Sequence, residues 1–219
     1  MSDVTRAFNG VSDVYDDWYQ TPRGVQVYHA ELRGLERLLP PVGLGIEIGA
    51  GTGIFAHGLE CNDRMIICLD PSPGMLAKAL EKGLQTLIGV GEAMPFRRLV
   101  FDFAYMVTVI EFLSDPKTVL DSIHGIIKSN STLVTLTINR SSSWGAFYKK
   151  LAQGGDPVFC HAKFYDMDEI ESALSDAQFN MIESLGILPK PPTDEDIGTG
   201  LTPGSVESGV VLCQAVKMN

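Results

Sequence analysis

Gly49, Gly51 and Gly53 follow a short apolar run and open an amphipathic helical pattern. Glycine reaches positive φ without a steric penalty, so a turn built this way lets backbone amides press against a ligand. In an open parallel sheet, ligands sit at the carboxyl ends of the strands, where this turn falls. The spacing narrows the ligand class. A dinucleotide fingerprint starting at Gly49 needs its last glycine where Ile54 stands, and a P-loop needs a Gly-Lys-Ser/Thr ending that is absent. Glu47 sets a carboxylate just before the first glycine, where a pyrophosphate gains nothing from it. A cofactor with an ammonium group, a sulfonium and no phosphate matches that charge better.

Other chemistry-bearing residues follow in order. Asp70 ends a second apolar run, where a carboxylate can accept hydrogen bonds from both hydroxyls of a ribose. Pro71, Ser72 and Met75 come next, then Gly91, Glu92, Ala93 and Met94 after a third run, and Thr108 and Val109 after a fourth. These four ordered segments, covering about residues 43–139, resemble the motifs of class I S-adenosylmethionine-dependent methyltransferases, of the small-molecule, methyltransferase type 11-like kind.

The resemblance implies S-adenosylmethionine as cofactor and no metal. It implies that Glu47, Gly49, Ala50, Gly51 and Gly53 form the cofactor turn, with Asp70 on the ribose. Pro71 and Ser72 lead to Met75 near the adenine. Gly91, Glu92, Ala93 and Met94 meet the adenine edge, while Thr108 and Val109 line the cofactor and the substrate mouth. The segment holding Tyr15 and Trp18 is similar to an N-terminal stretch that closes over the cofactor in many small-molecule members. The implied activity is methyl transfer to a nucleophilic atom of a small molecule by in-line displacement.

Such a displacement depends mainly on alignment, and a general base is needed only when the nucleophile must lose a proton. No unmistakable catalytic residue stands out. The candidates are Glu111, after the fourth run, and His161, inside an aromatic insertion at 140–165. His29, His57 and His124 read as structural or exposed, and Asp102 as structural. The rings of the insertion, Trp144, Phe147, Tyr148, Phe159, Phe164 and Tyr165, read as the core of a lid rather than a cage for a cation. The Pro-Pro motif favoured for exocyclic-amine methylation of nucleic acid is missing from 108–111.

The elements that must position these groups follow from the pattern. Strands are expected at 43–48, 65–69, 86–90, 101–107 and 132–138, with two more at 180–188 and 209–216. Helices are expected at 23–39, from Ser72 to about Lys82, from Asp115 to about Lys128, and from Asp166 to about Ala177. Alternation of this kind predicts an α/β, Rossmann-like doubly wound sheet of seven mostly parallel strands, with helices on both faces and an antiparallel last strand. The chain reads as one domain over 1–219: an N-terminal helical cap (1–40), a cofactor core (43–139), a lid insertion (140–165) and a C-terminal helix with strands (166–219). Residues 189–208 read as a mobile surface loop.

Composition sets the remaining bounds. The 219 residues carry a net charge of −10, which weighs against nucleic acid as a partner. The four cysteines lack metal-site or disulfide spacing, and no apolar stretch is long enough for a membrane helix. A cytoplasmic setting and a small-molecule substrate are expected, with no membrane partner; the oligomeric state is not legible. Two other function classes fit parts of the pattern: a cofactor-binding regulatory or scaffold protein without transfer activity, and a nicotinamide oxidoreductase, which the misplaced third glycine disfavours.

Overall fold

The computed structural model describes residues 1–218. Helices α1 (Asp3–Val11), α2 (Tyr15–Gln20) and α3 (Pro22–Leu38) precede the first strand, β1 (Gly43–Ile48). The core continues through α4 (Ile54–Leu59), β2 (Arg64–Asp70), α5 (Pro73–Glu81), β3 (Gln85–Ile88), β4 (Phe101–Val107), α6 (Pro116–Ile126) and β5 (Ile127–Ile138). Helices α7 (Ser143–Gln153) and α8 (Met167–Asp176) follow, then β6 (Phe179–Ile187), β7 (Thr202–Pro203) and β8 (Val210–Lys217).

The strands form one sheet in the order β3-β2-β1-β4-β5-β8-β6-β7. β1 to β5 pair in parallel, and β8 enters antiparallel between β5 and β6. The chain reverses its direction of winding between β1 and β4, and this topological switch point opens a crevice at the strand ends. Strands buried on both faces must be apolar throughout, as β4 is with Phe101, Phe103, Ala104, Tyr105 and Met106 all at 1% exposure or less. Two cores result. Leu35 of α3, Phe55 of α4 and Leu76 of α5 pack on one face; Val119 and Ile123 of α6 and Leu174 of α8 pack on the other.

The helix starts follow their capping chemistry. Ser72 Oγ accepts from the Met75 amide at 3.3 Å, and the Asp115 carboxylate accepts from the Thr118 amide at 3.2 Å; each is followed by proline in the first turn. Asp166 and Glu169 close a reciprocal capping box on α8.

Three expectations need correction. The sheet has eight strands, because Thr202–Pro203 adds a two-residue edge to β6, a position where proline's missing amide is harmless. The segment 189–208 is therefore anchored rather than a free loop: Ile197 is 1% exposed, and the Leu188 amide donates to Gly198 O at 2.9 Å. Third, α6 stops at Ile126 and β5 begins at Ile127, five residues ahead of the expected start. The buried Lys217 ammonium donates to the carbonyls of His124 and Ile127 at 2.6 and 3.0 Å, which fixes that junction. No helix among the described residues is long and apolar enough to cross a membrane.

Replacing Asp166 with alanine removes the capping box while its exposed pairing with Arg140 contributes little. The expected loss is about 1 kcal/mol, or a fall in Tm of about 2–4 °C, checked by thermal unfolding against wild type.

Candidate active site

The glycine turn sits at the carboxyl end of β1, with Gly49, Gly51 and Gly53 all at positive φ. Their surroundings differ in kind. A Cβ on Gly51 would meet nothing within 4 Å, so its backbone faces open space. A Cβ on Gly53 would lie 2.3 Å from Leu84, because this glycine lets α4 pack closely against the chain that follows α5.

Asp70 ties the turn to its neighbour. One carboxylate oxygen accepts from the Gly51 amide at 2.9 Å and the other from the Ser72 amide at 2.7 Å. Burial raises its pKa, while those two amides oppose the rise. Ser72 Oγ donates to Asn9 Oδ1 at 2.7 Å, which docks α1 on the start of α5. α2 is held in a similar way: Asp16 accepts from Thr52 Oγ1 at 2.6 Å and from Lys82 Nζ at 2.8 Å.

Two cavities meet above these strand ends. The first, about 280 Å³, is lined by the glycine turn, Glu47, Asp70 and residues of α1. The second, about 470 Å³, lies between α2, α3 and α7 and is walled by aromatic rings. Phe8, Tyr15, Thr108 and Phe112 line both. Thr108 holds φ at 49°, a conformation a β-branched residue rarely adopts, at the point where β4 ends between the cavities.

Most residues singled out in the sequence meet at the first cavity. Glu47, Gly49, Ala50, Gly51, Asp70, Pro71, Ser72 and Met75 line it, as do Tyr15, Gly91, Glu92, Thr108 and Val109. The others lie elsewhere. Gly53 is behind the turn, in the packing role just described, and Ala93 is turned outward on a 3-10 turn. Met94 packs into the core beneath the sheet. Trp18 lines the second cavity instead, because one helical turn along α2 carries it past the cofactor side where Tyr15 sits.

Neither catalytic candidate reaches a cavity wall. His161 is exposed, on a 3-10 turn that faces outward. Glu111 is 1% exposed and accepts from Thr137 Oγ1 at 2.7 Å and the Ile138 amide at 2.8 Å, which braces the end of β4 against β5. Asp102 likewise has a structural task, accepting from the Leu44 amide and pairing with Lys128. Among the described residues no cluster of histidine, cysteine, aspartate and glutamate is arranged to hold a metal.

Sequence reasoning missed two contributors. α1 supplies Thr5 and Phe8 to the first cavity, and its signal is the Ser2 cap, whose Oγ accepts from the Thr5 amide at 3.0 Å. Glu31 lines the second cavity, and its signal is a glutamate standing on the apolar stripe of α3 with Val27 and Leu35.

The first cavity fits a cationic, ribose-bearing cofactor. Glu47 accepts from Tyr105 Oη at 2.9 Å, yet burial pushes its carboxyl up to about 8, so a nearby cation is what would return it to the charged form. Asp70 keeps lone pairs beyond its two amide bonds, and the bare Gly51 backbone leaves room for close approach.

A methyltransferase-domain family model matches residues 46–135. An uncharacterized protein of Mycobacterium tuberculosis is 31% identical over 179 residues, covering 81% of this chain; the chain spans 61% of that relative's length. An uncharacterized protein of Methanocaldococcus jannaschii is 28% identical over 96% of this chain and 98% of its own. A solved Thermotoga maritima structure superposes with a TM-score of 0.89 at 29% identity, covering 98% of this chain and 100% of that one. It is described as an S-adenosylmethionine-dependent methyltransferase, possible histamine N-methyltransferase. Residues 46–135 thus carry a methyltransferase domain, and the fold and the lining of the first cavity are those of class I S-adenosylmethionine-dependent methyltransferases, whose cofactor is S-adenosylmethionine.

Two expected outcomes follow from this geometry. Gly51→Ala weakens cofactor binding and lowers Tm only by the left-handed backbone penalty of about 1–2 kcal/mol, whereas Gly53→Ala adds its clash with Leu84 to the same penalty and lowers Tm further; equal effects of both on Tm would contradict the division. The second concerns pH. Glu31 and Glu47 are raised to about 8 and Glu111 to about 7, all by burial. The folded protein therefore keeps protons that the unfolded chain has lost, and stability falls as pH rises from about 5 to about 8. Thermal unfolding of the cofactor-free protein across that range reads the slope, and a rising Tm would contradict it.

Proposed function

We propose that the protein transfers the methyl group of S-adenosylmethionine to a nucleophilic atom of a small organic molecule. The observation that carries this reading is the pair of adjoining cavities. One is lined by the polar turn of the cofactor motifs and the other by aromatic rings, with Tyr15, Thr108 and Phe112 at their junction. When bound, the cofactor supplies an electrophilic sulfonium methyl for in-line displacement.

The chain's own residues then bind, orient and exclude water. Asp70 accepts from the ribose hydroxyls while its existing amide bonds hold the carboxylate fixed. Glu47 balances cationic charge inside the cleft. The lid over 140–165 is strapped down by the Lys163 amide, which donates to Glu111 O at 2.8 Å, and by Trp144 Nε1, which donates to Lys190 O at 2.8 Å. An aromatic-walled cavity of this size favours a small acceptor over a polymer, and the net charge of −10 disfavours nucleic acid. A cytoplasmic setting is part of the same proposal, supported by two exposed free thiols, Cys61 and Cys160.

Calorimetric titration with S-adenosylmethionine, its demethylated product S-adenosylhomocysteine and NADH is the direct test, followed by a methyl-transfer screen over amines, phenols and thiols. Binding of the first two alone is expected, with Asp70→Ala weakening both by about 1–3 kcal/mol. Cofactor binding without transfer to any acceptor would favour a regulatory role, and NADH binding would return the oxidoreductase reading.

A further inference from the structure

The second cavity contains an acidic group that the protein itself leaves unpaired. Glu31 of α3 is 4% exposed and lines the cavity wall, yet among the described residues no hydrogen bond or ion pair reaches its carboxylate. Its neighbours on the same stripe, Val27, Ala30, Leu35 and Leu38, are all core residues. A leucine at this position would complete that core without the penalty of burying an unpaired carboxylate.

The surroundings define what would answer it. Tyr15 and Tyr19 of α2 and Tyr148 of α7 lie close enough to feel the Glu31 charge, as does Glu111 from the turn after β4. The remaining charged groups on the cavity wall are Arg23 and Asp156. Arg23 precedes Glu31 by two helical turns, about 12 Å along the axis of α3. One Asp156 oxygen is occupied by the amides of Val158 and Phe159 at 2.9 and 2.8 Å. Among the described residues no side chain supplies the missing cation.

We propose that this aromatic cavity is the methyl-acceptor site and takes a small amine bound as its ammonium ion, with Glu31 as the counter-ion; where the ammonium nitrogen is itself the acceptor, it passes its proton to the Glu31 carboxylate before its lone pair attacks the sulfonium methyl. The assignment of the cavity as acceptor site rests on the methyl-transfer reading; the pairing with Glu31 stands on the cavity alone. Aromatic faces attract an ammonium group, so the walls and the carboxylate select the same charge. A neutral ligand leaves Glu31 without a counter-ion, and an anion brings a buried charge that neither Glu31 nor Glu111 can pair. Burial holds the Glu31 carboxyl up at about 8, so at neutral pH an arriving ammonium displaces a proton from it.

The test is calorimetric titration at neutral pH of protein saturated with S-adenosylhomocysteine. The probes are phenethylamine, hexylamine and putrescine, each paired with its hydroxyl twin: phenethyl alcohol, hexanol and butanediol. At least one amine is expected to bind about tenfold or more tightly than its twin, with proton release seen as a heat that varies with buffer. Glu31→Gln removes that preference and leaves S-adenosylhomocysteine affinity unchanged. Failure of every amine to outbind its twin, or a preference that survives in Glu31→Gln, overturns the proposal. If the variant does not fold, the comparison of twins on wild-type protein decides alone. If S-adenosylhomocysteine does not bind, the methyl-transfer reading falls, and the same titrations without it still decide the role of Glu31.

Discussion

One carboxylate organises the cofactor end of the molecule. Asp70 receives the Gly51 amide from one loop and the Ser72 amide from another, so the ends of β1 and β2 cannot move independently. Ser72 passes the constraint on through Asn9, which also accepts from the Gly74 amide at 2.8 Å. Three segments distant in sequence are thereby set by a chain of short polar contacts, one buried and three partly buried. Charge-assisted bonds to backbone amides are among the stronger ones available, and they point the remaining lone pairs of Asp70 into the cleft. The glycine turn needs this restraint, because Gly51 packs against nothing that would otherwise fix it.

The second cavity is organised by different forces. Its walls are rings in edge contacts, with Tyr19 perpendicular to Phe55 at 5.9 Å and Tyr148 tilted against Phe159 at 4.4 Å. Such contacts give rigid, apolar walls with few donors and acceptors. α2 reaches this position only because Asp16 holds it to Thr52 and Lys82 beside the glycine turn. The polar network that shapes the first cavity therefore also sets one wall of the second, and Tyr15 is one of the residues where the two systems touch.

The parallel half of the fold was legible because its signals are local. Apolar runs of strand length, Ser72-Pro73 and Asp115-Pro116 caps, and a glycine turn each act within a few residues, and the structure places them with boundary shifts of one or two positions for most elements. What escaped depends on contacts between distant segments. The β7 edge exists only because β6 offers a partner. Gly53 and Met94 look like cofactor residues by motif, but Leu84 and the lower core claim them. His161 sits in the right insertion and points the wrong way, which no periodicity could reveal on a three-residue turn. Glu31 was readable in principle, since a glutamate on an apolar stripe breaks binary patterning, and such breaks mark functional positions more often than errors.

The two cavities share an electrostatic logic that fixes how they work together. Each contains a buried carboxyl raised to about 8, Glu47 in one and Glu31 in the other. A sulfonium and an ammonium brought into adjoining low-dielectric cavities would repel each other strongly if nothing balanced them. With both carboxyls ionised, each cation has its own counter-ion, and the repulsion is offset at its source. With neither cation present, both carboxyls hold protons, and the cleft avoids burying two bare charges. Under the proposed pairing, occupation of the cavities and ionisation of these glutamates are linked events, and the stability lost by placing them in the core is the cost of selecting cationic ligands.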